Sequence, residues 1–146
     1  MNHWVIGSLK AVKRTEGESR MMSQAEQLKA RTKQFAIRIV RVFRSLPKTD
    51  EARIIGKQLL RAGTSVAANY RAVCRSRSKA EFISKMSVVV EEADETVFWL
   101  ELLTETSIIA ERRLRELLAE TNELLAICAA SLRTAKIRRV NPVVPQ

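Results

Sequence analysis

Seven cations gather in and just after one predicted helix: Arg53, Lys57, Arg61, Arg71, Arg75, Arg77 and Lys79. At about 100° per residue the first five fall on one stripe roughly 80° wide, opposite that helix's apolar side. At ~1.5 Å rise per residue the stripe is about 33 Å long, and it could track several phosphates, each neutralised with release of counterions. The same stripe could pair with an acidic helix, across a subunit boundary or within the chain, or stand in solvent. No aromatic residue interleaves it, so base stacking and sequence-specific readout are not expected.

Other residues that could do chemistry are badly placed for it. The acidic run Glu91-Glu92-Ala93-Asp94-Glu95 invites a metal reading. A di-metal site in a bundle needs Glu-x-x-His pairs on facing helices. The single histidine is His3, and the first two helices offer only Glu26, Asp50 and Glu51, none mid-bundle. No metal or other cofactor is expected. No histidine is available as base for a Ser or Cys nucleophile, so enzymatic catalysis is not expected either. Cys74 and Cys128 fall within helical patterns, without Cys or His at ligand spacing. They read as reduced, partly buried thiols of a cytoplasmic protein.

Charge is divided along the chain. Residues 23–80 carry a net +11, residues 81–123 a net −7, and the last 23 residues four further cations, within a total of +10. One half basic and one half acidic permits contact with nucleic acid and contact between subunits. The C-terminal cluster Arg133, Lys136, Arg138 and Arg139 complements a helix dipole, or grips polyanions as a flexible tail.

The elements that position these groups are helices. Gly and Pro are scarce, and two of the three prolines lie in the last five residues, so the turns a sheet requires are missing. Helix 1 is predicted over Ser23 to Arg44, on the seam Leu28, Thr32, Phe35, Ile39, Val42 and Leu46. It stops before Pro47. Thr49 or Asp50 caps helix 2, which runs to Arg75 with Ile55, Leu59, Ala62, Val66, Tyr70 and Val73 inward. Gly56 and Gly63 flank that stripe and imply close approach of another helix. Helix 3 opens on the capping-box spacing Ser78-Lys79-Ala80-Glu81 and runs to Glu105, with Phe82, Met86, Val89, Ala93, Val97 and Leu100 inward. Helix 4 begins after Ser107 and runs to Lys136, with Leu114, Leu117, Thr121, Leu124, Cys128 and Leu132 inward. Short connections make successive helices antiparallel. The expected fold is an all-α, up-down-up-down antiparallel four-helix bundle over 23–137.

Residues 1–22 are expected to be poorly ordered, and 138–146 to form an irregular tail. Trp4-Val5-Ile6 is too short for a signal peptide core, and no apolar stretch is long enough to span a membrane. The true start could be Met1, Met21 or Met22.

Helix 3 has a second apolar face. Val88, Phe98, Trp99 and Leu102 lie roughly opposite its core stripe, sharing that side with Glu91 and Glu95. Exposed Phe and Trp on a lone bundle favour aggregation, so this face reads as an oligomer interface. The alternative is cover by Trp4, Val5, Ile6 and Leu9.

Four segments carry a family resemblance: residues 45–51 (SLPKTDE), 60–72 (LRAGTSVAANYRA), 77–83 (RSKAEFI) and 91–103 (EEADETVFWLELL). The chain resembles the bacterial four helix bundle protein family, which includes proteins encoded in intervening sequences of large-subunit ribosomal RNA genes. It is similar also to the accessory variability protein of diversity-generating retroelements. Ser65-Val66, Asn69 and the Glu-Phe-Ile opening of helix 3 are the most specific parts. Many relatives have Gly where Ala67 stands. The resemblance covers about residues 25–135 and implies a homopentamer with a central channel and a basic surface, and no catalytic residues. In the retroelement branch it implies a reverse transcriptase partner. The expected function is a non-enzymatic oligomeric scaffold that binds RNA or DNA without sequence preference. The alternative is an assembly module with no nucleic-acid contact.

Overall fold

Four helices account for nearly all of residues 22–137, the part of the chain that the computed structural model describes. They are α1 (Gln24–Ser45), α2 (Asp50–Val73), α3 (Lys79–Glu105) and α4 (Glu111–Ile137). Connections of four or five residues turn each helix back on the last, giving the up-down-up-down bundle. The expectations for residues 1–21, and for the tail from Arg138, lie outside the described residues.

Each helix begins where its sequence can satisfy free N–H groups. Ser23 and Glu26 form a complete capping box on α1, in which Ser23 Oγ accepts from the Glu26 N–H at 3.1 Å and Glu26 accepts from the Ser23 N–H. Thr49, not Asp50, caps α2. At α3, Ser78 Oγ accepts from the Glu81 N–H at 3.0 Å, but the Glu81 carboxylate reaches one residue further back, to the Arg77 N–H.

The core contains Phe35, Leu59, Tyr70, Phe82, Leu100 and Leu124, all nearly inaccessible to solvent. Two expectations need correction. On α3 the inward residue is Thr96, with Val97 half-buried, and Leu103 extends the stripe. Steps of four and three from Phe82 through Met86, Val89 and Ala93 lead to Thr96, whose hydroxyl is satisfied by the Glu92 carbonyl at 2.7 Å. Helix 4 starts at Glu111, not directly after Ser107. Ser107 takes a left-handed backbone (φ 58°), the Ile108 and Ile109 N–H groups fold back onto the Leu103 carbonyl, and Ile109 is buried as a plug.

The two glycines on α2 set how close α1 can come. A Cβ at Gly63 would lie 2.7 Å and 2.8 Å from two Ile39 side-chain carbons, and one at Gly56 would overlap Leu46. Ile39 is fully buried and has nowhere to move. Ala is worth ~1 kcal/mol over Gly in a helix. Overpacking costs typically ~1–3 kcal/mol. Gly63→Ala should therefore lower the thermal unfolding midpoint, and pairing it with Ile39→Ala should relieve the clash, so that the two changes together cost less than their sum. A raised midpoint for Gly63→Ala alone would contradict the close approach.

Candidate nucleic-acid and oligomer interfaces

The fold divides the α2 cations by partner. Arg53 bonds Asp50 on its own helix at 2.6 Å. Arg61 reaches across to α3, where its guanidinium holds Glu92 at 3.3 Å and also bonds Glu95. Lys57, Arg71, Arg75 and Arg77 are exposed, Lys79 is half-exposed, and none of the five has an ion-pair partner among the described residues. The continuous stripe becomes two cations given to pairing within the chain, Arg53 and Arg61, and several presented to solvent.

Arg61 has a consequence for the other predicted site. Glu95, held by Arg61, also accepts from the Trp99 indole N–H at 3.1 Å. Trp99 is therefore drawn onto the α2–α3 seam, where it is half-buried against the core. Phe98 meets Trp99 edge-on, with ring centres 4.8 Å apart, and remains 52 % exposed. Val88 is exposed, Leu102 half-buried, and Glu91 free of any ion pair among the described residues. Of the predicted face, Val88 and Phe98 are exposed, while Trp99 and Leu102 are half-buried.

The sequence reading missed Ile54, which is 63 % exposed. It lies seven residues before Arg61 on α2, two turns from the tie to α3. The signal was available: a heptad offset from Arg61 lies only ~20° away on a helix.

A second clasp closes the α1–α4 seam. Arg31 bonds Glu120 through two nitrogens, at 2.6 Å and 3.0 Å, and Glu123 at 3.1 Å. These hydrogen bonds push its already high pKa further up. Inside the bundle, burial raises the Tyr70 phenol and the Cys74 thiol and pushes the Cys128 thiol up to about 11, so all three stay protonated at neutral pH. Among the described residues no three His, Cys, Asp or Glu side chains come together as metal ligands would, and no helix is long and apolar enough to cross a membrane.

The hydrogen bond from Arg61, then that from Trp99, holds the Glu95 carboxyl below the ordinary glutamate range. A depressed pKa means that the tie is intact above that range and is lost as pH falls through the folded value. In a Trp4→Phe background, Trp99 fluorescence should change on acidification below pH 4.5, the ordinary glutamate value. Arg61→Met should shift that change upward in pH. An unshifted transition would separate Arg61 from the Trp99 environment.

With this geometry in view, comparison with known proteins is direct. The family model for 23S rRNA-intervening sequence proteins matches residues 24–130, which includes all of α1, α2 and α3 and most of α4. No curated protein matches the chain. Among solved structures, a protein of unknown function from the S23 ribosomal protein family of Bacteroides thetaiotaomicron VPI-5482 is similar at 31 % identity, with a TM-score of 0.70. The alignment covers 76 % of this chain and 99 % of that one. The family model covers most of the chain and the solved structure shares its fold, and the chain belongs to the 23S rRNA-intervening sequence protein family.

Proposed function

We propose that the chain is a non-enzymatic cytoplasmic scaffold that binds RNA or DNA through the phosphate backbone, as a homo-oligomer joined through the exposed apolar residues Phe98 and Ile54. The observation that carries this reading is the run of cations around the α2–α3 connection that have no carboxylate partner among the described residues: exposed Arg71, Arg75 and Arg77, with half-exposed Lys79. Cations without internal partners gain most from a polyanion, because each phosphate neutralised releases a counterion. The family's link to 23S rRNA intervening sequences supports a nucleic-acid setting.

The finer parts of the reading draw on the resemblance. A homopentamer is the assembly it implies, and exposed Phe98 and Ile54 offer apolar surface for self-association. A reverse transcriptase partner of a diversity-generating retroelement is the corresponding biological context. Its presence depends on whether a neighbouring gene encodes one. The rival reading, an assembly module with no nucleic-acid contact, is favoured by one observation only, the exposure of Phe98 and Ile54.

Salt separates the two. RNA and DNA of unrelated sequence should bind with similar affinity. With about four phosphate contacts, that affinity should fall on the order of a hundredfold between 50 and 200 mM salt. Salt-independent binding, or none, would reject the nucleic-acid reading. Assembly is tested separately by light scattering at 0.5 M salt, where the protein should have pentamer mass relative to its 16.6 kDa chain. Phe98→Ser with Ile54→Ser should reduce that mass while helical circular dichroism is retained. A wild-type monomer would contradict the interface.

A further inference from the structure

We propose that nucleic acid docks on one end of the bundle, where all four helices contribute cations, and not along the length of α2. The inference rests on the nucleic-acid reading above and locates its site. Gln24 and Leu28 at the start of α1, Tyr70 near the end of α2, Phe82 and Met86 at the start of α3 and Ser131 near the end of α4 line one cleft of about 310 Å³. Those four helix ends therefore meet.

Each converging end is basic. Helix α1 brings Lys29, α2 brings Arg71, the next connection Arg75 and Arg77, α3 brings Lys79, and α4 brings Arg133 and Lys136. Six of these are exposed and Lys79 is half-exposed. None has an ion-pair partner among the described residues. The acids nearest the cleft are occupied: Glu26 closes the α1 capping box, Glu81 accepts from the Arg77 N–H and pairs with Lys85, and Glu120 and Glu123 hold Arg31, which also lines the cleft. At the opposite end, cations of the last turns of α1 and the first of α4 are interleaved with Asp50, Glu51, Glu101, Glu105, Glu111 and Glu116. Net charge there is close to balanced.

Seven cations over a low-dielectric core focus the potential on one small surface. With helix axes ~10 Å apart, that surface is about 20 Å across. A backbone at ~3.4 Å per nucleotide crosses it in about six nucleotides. The ligand class is therefore a short phosphodiester segment, and cations on the long faces of α1 and α2 are secondary. Arg133 and Lys136, which a linear reading assigns to the helix dipole, become part of the site.

The test compares two four-charge reversals of equal net charge. One is Arg71→Glu, Arg75→Glu, Arg133→Glu and Lys136→Glu at the end. The other is Arg41→Glu, Arg44→Glu, Lys48→Glu and Lys57→Glu on exposed positions away from it. Fluorescence anisotropy with a labelled single-stranded eight-nucleotide probe reads affinity against salt, and circular dichroism checks folding. The end variant should lose at least about tenfold in affinity, and its log–log salt slope should shrink by about three. The side variant should stay within about threefold of wild type. An Arg71→Ala, Arg75→Ala pair, milder for folding, should shrink the slope by about one and a half. Equal losses in both reversals, or a larger loss in the side variant, overturn the end site while leaving the nucleic-acid reading intact. If the wild type itself fails to bind, both fall.

Discussion

The closeness of α2 to α1 is the constraint on which the bundle depends. Gly56 and Gly63 remove the two side chains that would hold the helices apart, and Ile39 and Leu46 fill the space. Once α1 lies on that face, the opposite flank of α2 must meet α3. That contact puts Arg61 within reach of Glu92 and Glu95 and fixes the α2–α3 register. Register in turn decides which apolar residues are buried and which, like Ile54 and Phe98, are left outside.

The charge division in the chain acquires a different meaning in three dimensions. A basic half and an acidic half do not become a basic side and an acidic side. The acidic residues of α3 and α4 neutralise individual arginines in mid-bundle: Arg61 through Glu92 and Glu95, and Arg31 through Glu120 and Glu123. These pairs are partly solvent-exposed and contribute little to stability. Their larger effect is on where positive charge remains. It collects at the end where α2 stops, α3 starts and α4 stops, because the carboxylates there are spent on capping.

Much of this was legible in the chain. Four helices, their order, the proline stop of α1 and the Thr49 cap follow from local chemistry, and so does the packing role of the glycines. Where hydrophobicity was weighed above spacing the reading went astray, as at Thr96, whose buried hydroxyl is satisfied within its own helix. The start of α4 was hidden by Ile108 and Ile109, which look helical in sequence but close a turn behind Ser107. The candidate sites were less legible. A helical wheel shows that Arg61 shares a stripe with Arg71, but only the packing shows that Arg61 is claimed by α3. Ile54 shares a helix flank with Arg61, but that it stays exposed there is visible only once the helices are packed. Lys29, Arg133 and Lys136 lie more than forty residues from the cations they join, and nothing local connects them.

Lysine reactivity footprinting tests the central claim most directly, because it maps contact without altering the protein. The chain should be treated with an amine-acylating reagent, with and without a saturating short single-stranded oligonucleotide at low salt. Lys29, Lys79 and Lys136 should lose reactivity on binding, while Lys48 and Lys57 should keep theirs. Protection of Lys57 with Lys29 and Lys136 unchanged would contradict the account and return the site to the helix faces.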